Sequence, residues 1–199
     1  MRRVVARDVS ALPTWGYSSQ SGPWWGALGF MAIEGMAFAL AVGAYLYLYA
    51  ANPRWPLNSP PPDLVFGTAQ VVLLVASVVP NALANRAAYA QDLLRARIWL
   101  VVISAVGVVS LVLRGFEFAR LNVRWDTDAY GSAVWFILGL HTTHIATDLG
   151  DTLVLAVLMF TRHAQPRRFS DITDNAFYWN FVVLAWLPLY ALIYWTPRL

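Results

Sequence analysis

The sequence predicts an all-α polytopic membrane protein, a single bundle of five transmembrane helices with the N-terminus in the cytoplasm and the C-terminus outside. Composition, the length of the apolar runs and the placement of arginine predict it. Hydrophobic residues make up 59% of the 199 and charged residues only 13%, a membrane-protein balance. Runs of roughly 20 or more apolar residues, the length a ~30 Å hydrocarbon core demands, fall at about 24–50, 64–85, 96–118, 130–161 and 173–195. Period-2 alternation is absent, and backbone groups must be satisfied inside lipid, so the runs are helices rather than barrel strands. Arg2, Arg3, Arg7, Arg86, Arg95, Arg97, Arg162, Arg167 and Arg168 then fall on one side, and Arg54, Arg120, Arg124 and Arg198 on the other. The positive-inside rule makes the first side cytoplasmic.

Composition also excludes function classes. The net charge of +3 is spread over loops between apolar spans and gives no reason to expect a nucleic-acid partner. There is no Cys, which rules out disulfides, thiolate metal sites and iron–sulfur clusters. All fourteen basic residues are Arg, the bias of a high-G+C bacterial genome, so the expected location is a bacterial cytoplasmic membrane. Residues 1–23 carry three arginines and no apolar h-region, and are read as a cytoplasmic N-terminal segment without a cleavable signal. No repeat or second domain is visible, so residues 1–199 are read as one membrane domain.

Span 1 opens on Trp24 and Trp25, interfacial anchors, and carries Glu34 ten residues after Trp24. At 1.5 Å per residue that is ~15 Å deep, where a carboxylate needs a proton or a partner. Gly29, Ala32 and Gly35 let a neighbouring helix approach closely. The connector NPRWPLNSPPPD, 52–63, is Pro-rich and predicts an extended, semi-rigid external loop, with Trp55 as a belt residue. Span 2 contains Pro80, where a local kink is expected, with Asn81 and Asn85 near its inner end. Span 3 ends SLVLRGFEFARL, placing Arg114 and Glu117 three residues apart as an ion pair toward the outer surface. Span 4 contains GLHTTHIATDLGD, with His141 ~18 Å from Ala129 and so near the depth of Glu34. His141, His144 and Asp148 share one helical face. Span 5 holds Pro188, a second expected kink, and one strongly polar interior residue, Asn180. The inner-loop His163 is read as solvated.

Ionisable residues at such depth are functional-site hypotheses by default. One reading assembles a metal site from Glu34, Glu117, His141 and His144, making the chain a membrane metalloenzyme with a His-x-x-His site. The other makes Glu34, His141, His144 and Asp148 a buried polar cluster that serves lipid headgroups or protons, with Arg114 and Glu117 a separate outer-side pair. Only one His-x-x-His occurs, and Glu117 lies too far out to converge with the rest, which favours the second.

Four motifs in order carry a resemblance. They are Phe30-x-x-x-Glu34-x-x-x-Phe38, Phe116-Glu117-Phe118, the set Gly139, His141, His144 and Gly150, and Tyr178-Trp179-x-Phe181-Val182 followed by Trp186, Tyr194 and Trp195. Together they resemble subunit III of the haem–copper cytochrome c oxidases, in the five-helix bacterial form. The last helix of that family usually reads Tyr-Trp-His-Phe-Val-Asp, and Asn180 and Val183 replace its His and Asp here; Arg114 stands where Gln is common. The resemblance implies a subunit with no catalytic residues and no redox centre of its own. Haem and copper then belong to its partners, the catalytic subunit I and subunit II, and the three histidines here are fewer than the six such a catalytic subunit uses. It further implies phospholipid bound among the helices and support of proton uptake and durable turnover. A quinol oxidase or a nitric oxide reductase is the alternative assembly.

Overall fold

The computed structural model describes residues 21–161, 164 and 166–199, without the side chains of 166 and 167. The N-terminal segment, Arg162, His163 and the side chain of Arg167 therefore lie outside the described residues. Five helices follow in order: α1 Gly22–Ala51, α2 Leu64–Tyr89, α3 Leu93–Ala119, α4 Ala129–Phe160 and α5 Pro166–Trp195, with a 3₁₀ turn at Thr196–Arg198. Each contains a stretch long and apolar enough to cross a membrane, and no strand occurs among the described residues.

Local chemistry sets the helix starts. Pro23 sits in the first turn of α1, where its missing N–H costs nothing. Asp63, Asp92 and Asp128 cap α2, α3 and α4, accepting from the backbone N–H of Val65, Arg95 and Gly131 at 3.0, 3.0 and 2.8 Å. Pro80 and Pro188 lie inside α2 and α5, which continue through them.

The helices α2, α3, α4 and α5 pack as a closed set of neighbours, and α1 packs only against α4 and α5 among the described residues. At the end of the bundle carrying the short α2–α3 turn the core is built on small residues. Ala84, Ala87, Ala88 and Ala96 meet Ala156, Met159, Phe169 and Ile172, so the backbones come close. Polar seams join α2 to its neighbours along its length. Gln70 Nε2 donates to Ser110 Oγ, Trp179 Nε1 to Ser77 Oγ at 2.8 Å, and Asn81 Nδ2 to both the Ala176 carbonyl (2.9 Å) and Asn180 Oδ1 (3.1 Å). Without water as competitor, such bonds hold helices together in lipid.

At the opposite end the Pro-rich connector, expected as an extended, semi-rigid loop, is also tied to the bundle. It folds back onto the bundle through Trp55, whose ring meets Tyr45 and Tyr130 edge-on at 5.2 and 5.0 Å and whose Nε1 donates to Tyr45 Oη at 2.8 Å. Tyr45 in turn bonds Thr196 Oγ1 at 2.8 Å, Asn122 Nδ2 donates to the Pro61 carbonyl at 3.2 Å, and Arg198 donates to the Pro62 carbonyl. The proline residues forbid regular structure here, but their free carbonyls are good acceptors, and the long-loop end of the bundle supplies the donors.

Candidate functional site

The structure divides the ionisable residues into two clusters. The first is closed. Arg114 Nη1 donates to Glu117 Oε2 at 2.7 Å, and both side chains are 1% exposed. Tyr194 donates to Glu117 Oε1 at 2.5 Å, and Arg114 Nη2 lies 3.0 Å from His141 Nδ1. Arginine has no acceptor, so His141 Nδ1 accepts, and its Nε2–H donates to the Val182 carbonyl at 3.0 Å. Trp186 forms a floor, stacked on His141 at 4.6 Å with the guanidinium 4.0 Å from its ring centroid. The carboxylate oxygens and imidazole nitrogens are matched within one buried unit, while Arg114 Nε and Trp186 Nε1 have no hydrogen-bond partner among the described residues.

The Arg114–Glu117 pair expected from the spacing forms, but not as a separate pair near the outer surface. The pair is fully buried and includes His141, which does not contact Glu34. The reason is the direction of the side chains. Arg114 lies five residues before the end of α3, ~8 Å in, whereas His141 lies ~18 Å in from the same end of the bundle. The Cα–Cβ bonds of a helix tilt toward its N-terminus, so on these antiparallel helices Arg114 points inward and His141 points outward, and they meet. A backbone without Cβ at Gly67 completes the fit: a methyl group there would come within 2.4 Å of the Tyr194 ring.

The second cluster is open. Glu34 on α1 accepts from the Tyr178 hydroxyl at Oε2, 2.7 Å, and faces His144 Nε2 with Oε1 at 3.3 Å. His144 Nδ1 lies 2.6 Å from the Leu140 carbonyl of its own helix. Phe38, also from α1, packs on both histidines, 4.7 Å from His144 and 6.2 Å from His141, but the two imidazoles share no bonding partner and so belong to different units. One turn along α4, the buried Asp148 accepts from Asn175 Nδ2 at 3.3 Å through Oδ1, and Asn175 Oδ1 accepts from Thr152 at 3.1 Å. Asp148 Oδ2 has no partner.

Glu34, His144, Asp148 and Tyr178 line a cleft of about 550 Å³ between α1, α4 and α5. Its walls include Ala27, Phe30, Val154 and Leu158, and its mouth, toward the α2–α3 turn end, carries Asp151, Arg168, Asp171 and Asp174. Arg168 is paired with Asp171 at 2.9 Å. An apolar-walled groove with a polar floor can take an amphiphile or a file of water.

The arrangement weighs against a His-x-x-His metal site. Both nitrogens of His141 are engaged, one accepting from Arg114 and one donating to Val182, so no lone pair is left for an ion. Glu117 is committed to Arg114 and Tyr194, and no group of three or more candidate ligands converges among the described residues.

Tyr178, Tyr194 and Trp186 stand out in the sequence only as motif residues, without the partners Glu34, Glu117, His141 and Arg114 that the structure gives them. One signal was available: Tyr178 and Glu34 each lie twelve residues from the start of their helices, which begin at the same end of the bundle. Asn175 was missed because its partner Asp148 sits on another helix in a register no spacing rule gives.

Comparison with known proteins extends the geometry. Residues 61–197 match the family model described as cytochrome c oxidase subunit III. The chain is 25% identical over 176 residues to a cytochrome c oxidase subunit 3 of Thermostichus vulcanus, covering 87% of each chain. It is 25% identical over 176 residues to the probable cytochrome c oxidase subunit 3 of Mycobacterium tuberculosis, covering 85% of each. It is 26% identical over 203 residues to that of Drosophila yakuba, covering 95% of this chain and 76% of the relative.

Proposed function

This chain belongs to the cytochrome c oxidase subunit III family, and from that premise we propose that it serves as the non-catalytic subunit III of a respiratory haem–copper terminal oxidase in a bacterial cytoplasmic membrane. It packs on the catalytic subunit I in an assembly with subunit II, which between them hold haem and copper. It binds phospholipid in the cleft between α1, α4 and α5, supports proton uptake by its partner and prolongs turnover. The observation that carries the lipid and proton part is that cleft: apolar walls, a carboxylate floor at mid-membrane depth and an acidic mouth. Valine-rich surface on α2 and α3, with Val72, Val79, Val101, Val108 and Val112 exposed, offers apolar area to lipid or a partner subunit.

Glu34→Ala tests the reading in the assembled oxidase. The haem spectra stay unchanged, because no ligand to haem lies in this chain, while the number of turnovers before inactivation falls several-fold. Haem absorbance retained by the isolated, folded chain would overturn it, as would a Glu34→Ala complex with unaltered lifetime.

A further inference from the structure

Three buried polar atoms at the border of the closed cluster have no hydrogen-bond partner among the described residues: Gln70 Oε1, Arg114 Nε and Trp186 Nε1. Their residues are 0%, 1% and 0% exposed. A buried polar atom left unpaired is costly, and three in one place call for a common partner.

Three separate observations bring these atoms together. The Arg114 guanidinium carbon lies 4.0 Å from the Trp186 ring centroid. Nε is one covalent bond from that carbon and Nε1 belongs to the indole, so both N–H groups border one stack. Gln70 Nε2 donates to Ser110 Oγ, and Ser110 precedes Arg114 by four residues on the same face of α3. Because Cα–Cβ bonds tilt toward the helix N-terminus, the Arg114 side chain runs back over the turn that holds Ser110 and the Gln70 amide. The register of α2 against α5 supplies the third placement. Trp179 Nε1 donates to Ser77 Oγ at 2.8 Å across these antiparallel helices. Seven residues further toward the long-loop end, two turns on each helix, the same two faces carry Gln70 and Trp186. The register continues beyond them at Thr68 Oγ1 and Tyr190 Oη, 2.7 Å apart.

The chemistry of the three atoms selects the partner. The N–H groups of Arg114 and Trp186 only donate, and the Gln70 amide oxygen only accepts. A water molecule accepts two hydrogen bonds and donates two, so one water answers all three, and three bonds is the usual number for a buried water. A cation would meet two donors beside a guanidinium. A halide would satisfy the donors but face the Gln70 oxygen, and it would add a net charge to a buried unit in which Arg114 and Glu117 already cancel.

We propose that one ordered water is bound between α2, α3 and α5, accepting from Arg114 Nε and Trp186 Nε1 and donating to Gln70 Oε1. The site goes beyond the function proposed above and does not depend on it. The water joins the Arg114 cluster of α3, α4 and α5 to the polar seam of α2, which runs from Asn81 through Ser77 to Gln70. It also accounts for a tryptophan at 186, where the indole stacks on His141 and the guanidinium while its N–H finds no protein acceptor.

The test is an electron cryo-microscopy map of the intact oxidase at a resolution that shows ordered waters. One solvent peak is expected within hydrogen-bond distance, about 2.7–3.2 Å, of all three atoms. The double variant Trp186→Phe with Gln70→Met keeps a ring against the guanidinium and fills similar volume, but removes one donor and the acceptor, and the peak is expected to disappear. Should that variant fail to assemble, Gln70→Met alone is expected to lower the occupancy of the peak several-fold. Absence of the peak from the unaltered complex overturns the proposal, as does a direct bond between Trp186 Nε1 and Gln70 Oε1. A peak that strengthens when chloride is replaced by bromide identifies a halide and equally overturns it. Persistence of the peak at full occupancy in the variants shows that other groups hold it and removes the assignment to these three atoms.

Discussion

Arg114 shows how much one buried charge depends on its surroundings. Its guanidinium has a carboxylate at 2.7 Å, an imidazole at 3.0 Å and an indole face at 4.0 Å. Removing a single partner leaves an uncompensated charge, whereas replacing both by apolar groups of similar volume does not. Arg114→Leu is therefore expected to cost about 3–5 kcal/mol, because Glu117 stays buried without its cation. The double variant Arg114→Met with Glu117→Leu should recover most of that loss. Thermal unfolding of the detergent-solubilised chain measures both, and a double variant no more stable than Arg114→Leu would refute the pairing argument. At this scale the sequence singled out the ionisable residues and not whom they meet. Glu34, His141, His144 and Asp148 stood out because ionisable groups are rare in apolar runs. The actual partners Tyr178, Tyr194 and Asn175 are ordinary membrane-helix residues whose role comes only from cross-helix register and the tilt of Cα–Cβ bonds.

Among the five helices, α1 is the least embedded, packing among the described residues against α4 and α5 but not against α2 or α3. Its hold at one end comes from Tyr45, which is fully buried beneath Trp55 and bonded to Thr196. The connector 52–63 thus works as a clasp that ties the end of α1 to the start of α4 and the end of α5. Trp55→Ala removes three edge-on aromatic contacts, to Tyr45, Tyr49 and Tyr130, and one hydrogen bond from a half-buried site, and is expected to cost about 2 kcal/mol. The same change should raise proteolytic cleavage within 52–63, while the exposed Trp25→Ala leaves cleavage unchanged. Equal cleavage of the two variants would show that the loop is held by its prolines alone. The helices themselves were legible in the sequence, since length and hydropathy alone decide what can cross a bilayer. The clasp was not, because a Pro-rich composition excludes regular structure without saying what the carbonyls will bond.

For the whole molecule, the arginines of the described loops and helix ends are balanced between the two ends of the bundle. Arg86, Arg95, Arg97 and Arg168 lie toward the α2–α3 turn end, and Arg54, Arg120, Arg124 and Arg198 toward the other. The bias that predicts a cytoplasmic N-terminus rests on Arg2, Arg3, Arg7, Arg162 and Arg167, in the N-terminal segment and the connection from α4 to α5. Orientation decides whether the acidic mouth of the cleft opens to the cytoplasm or to the outside. Because the chain contains no Cys, it supplies its own background for single-site labelling. Asn58 in the clasp and Ala90 in the α2–α3 turn are both exposed. With the N-terminus inside, Asn58→Cys reacts with a membrane-impermeant maleimide on intact cells, and Ala90→Cys reacts only after permeabilisation. The reverse pattern would place the mouth of the cleft outside and count against the support of proton uptake proposed above.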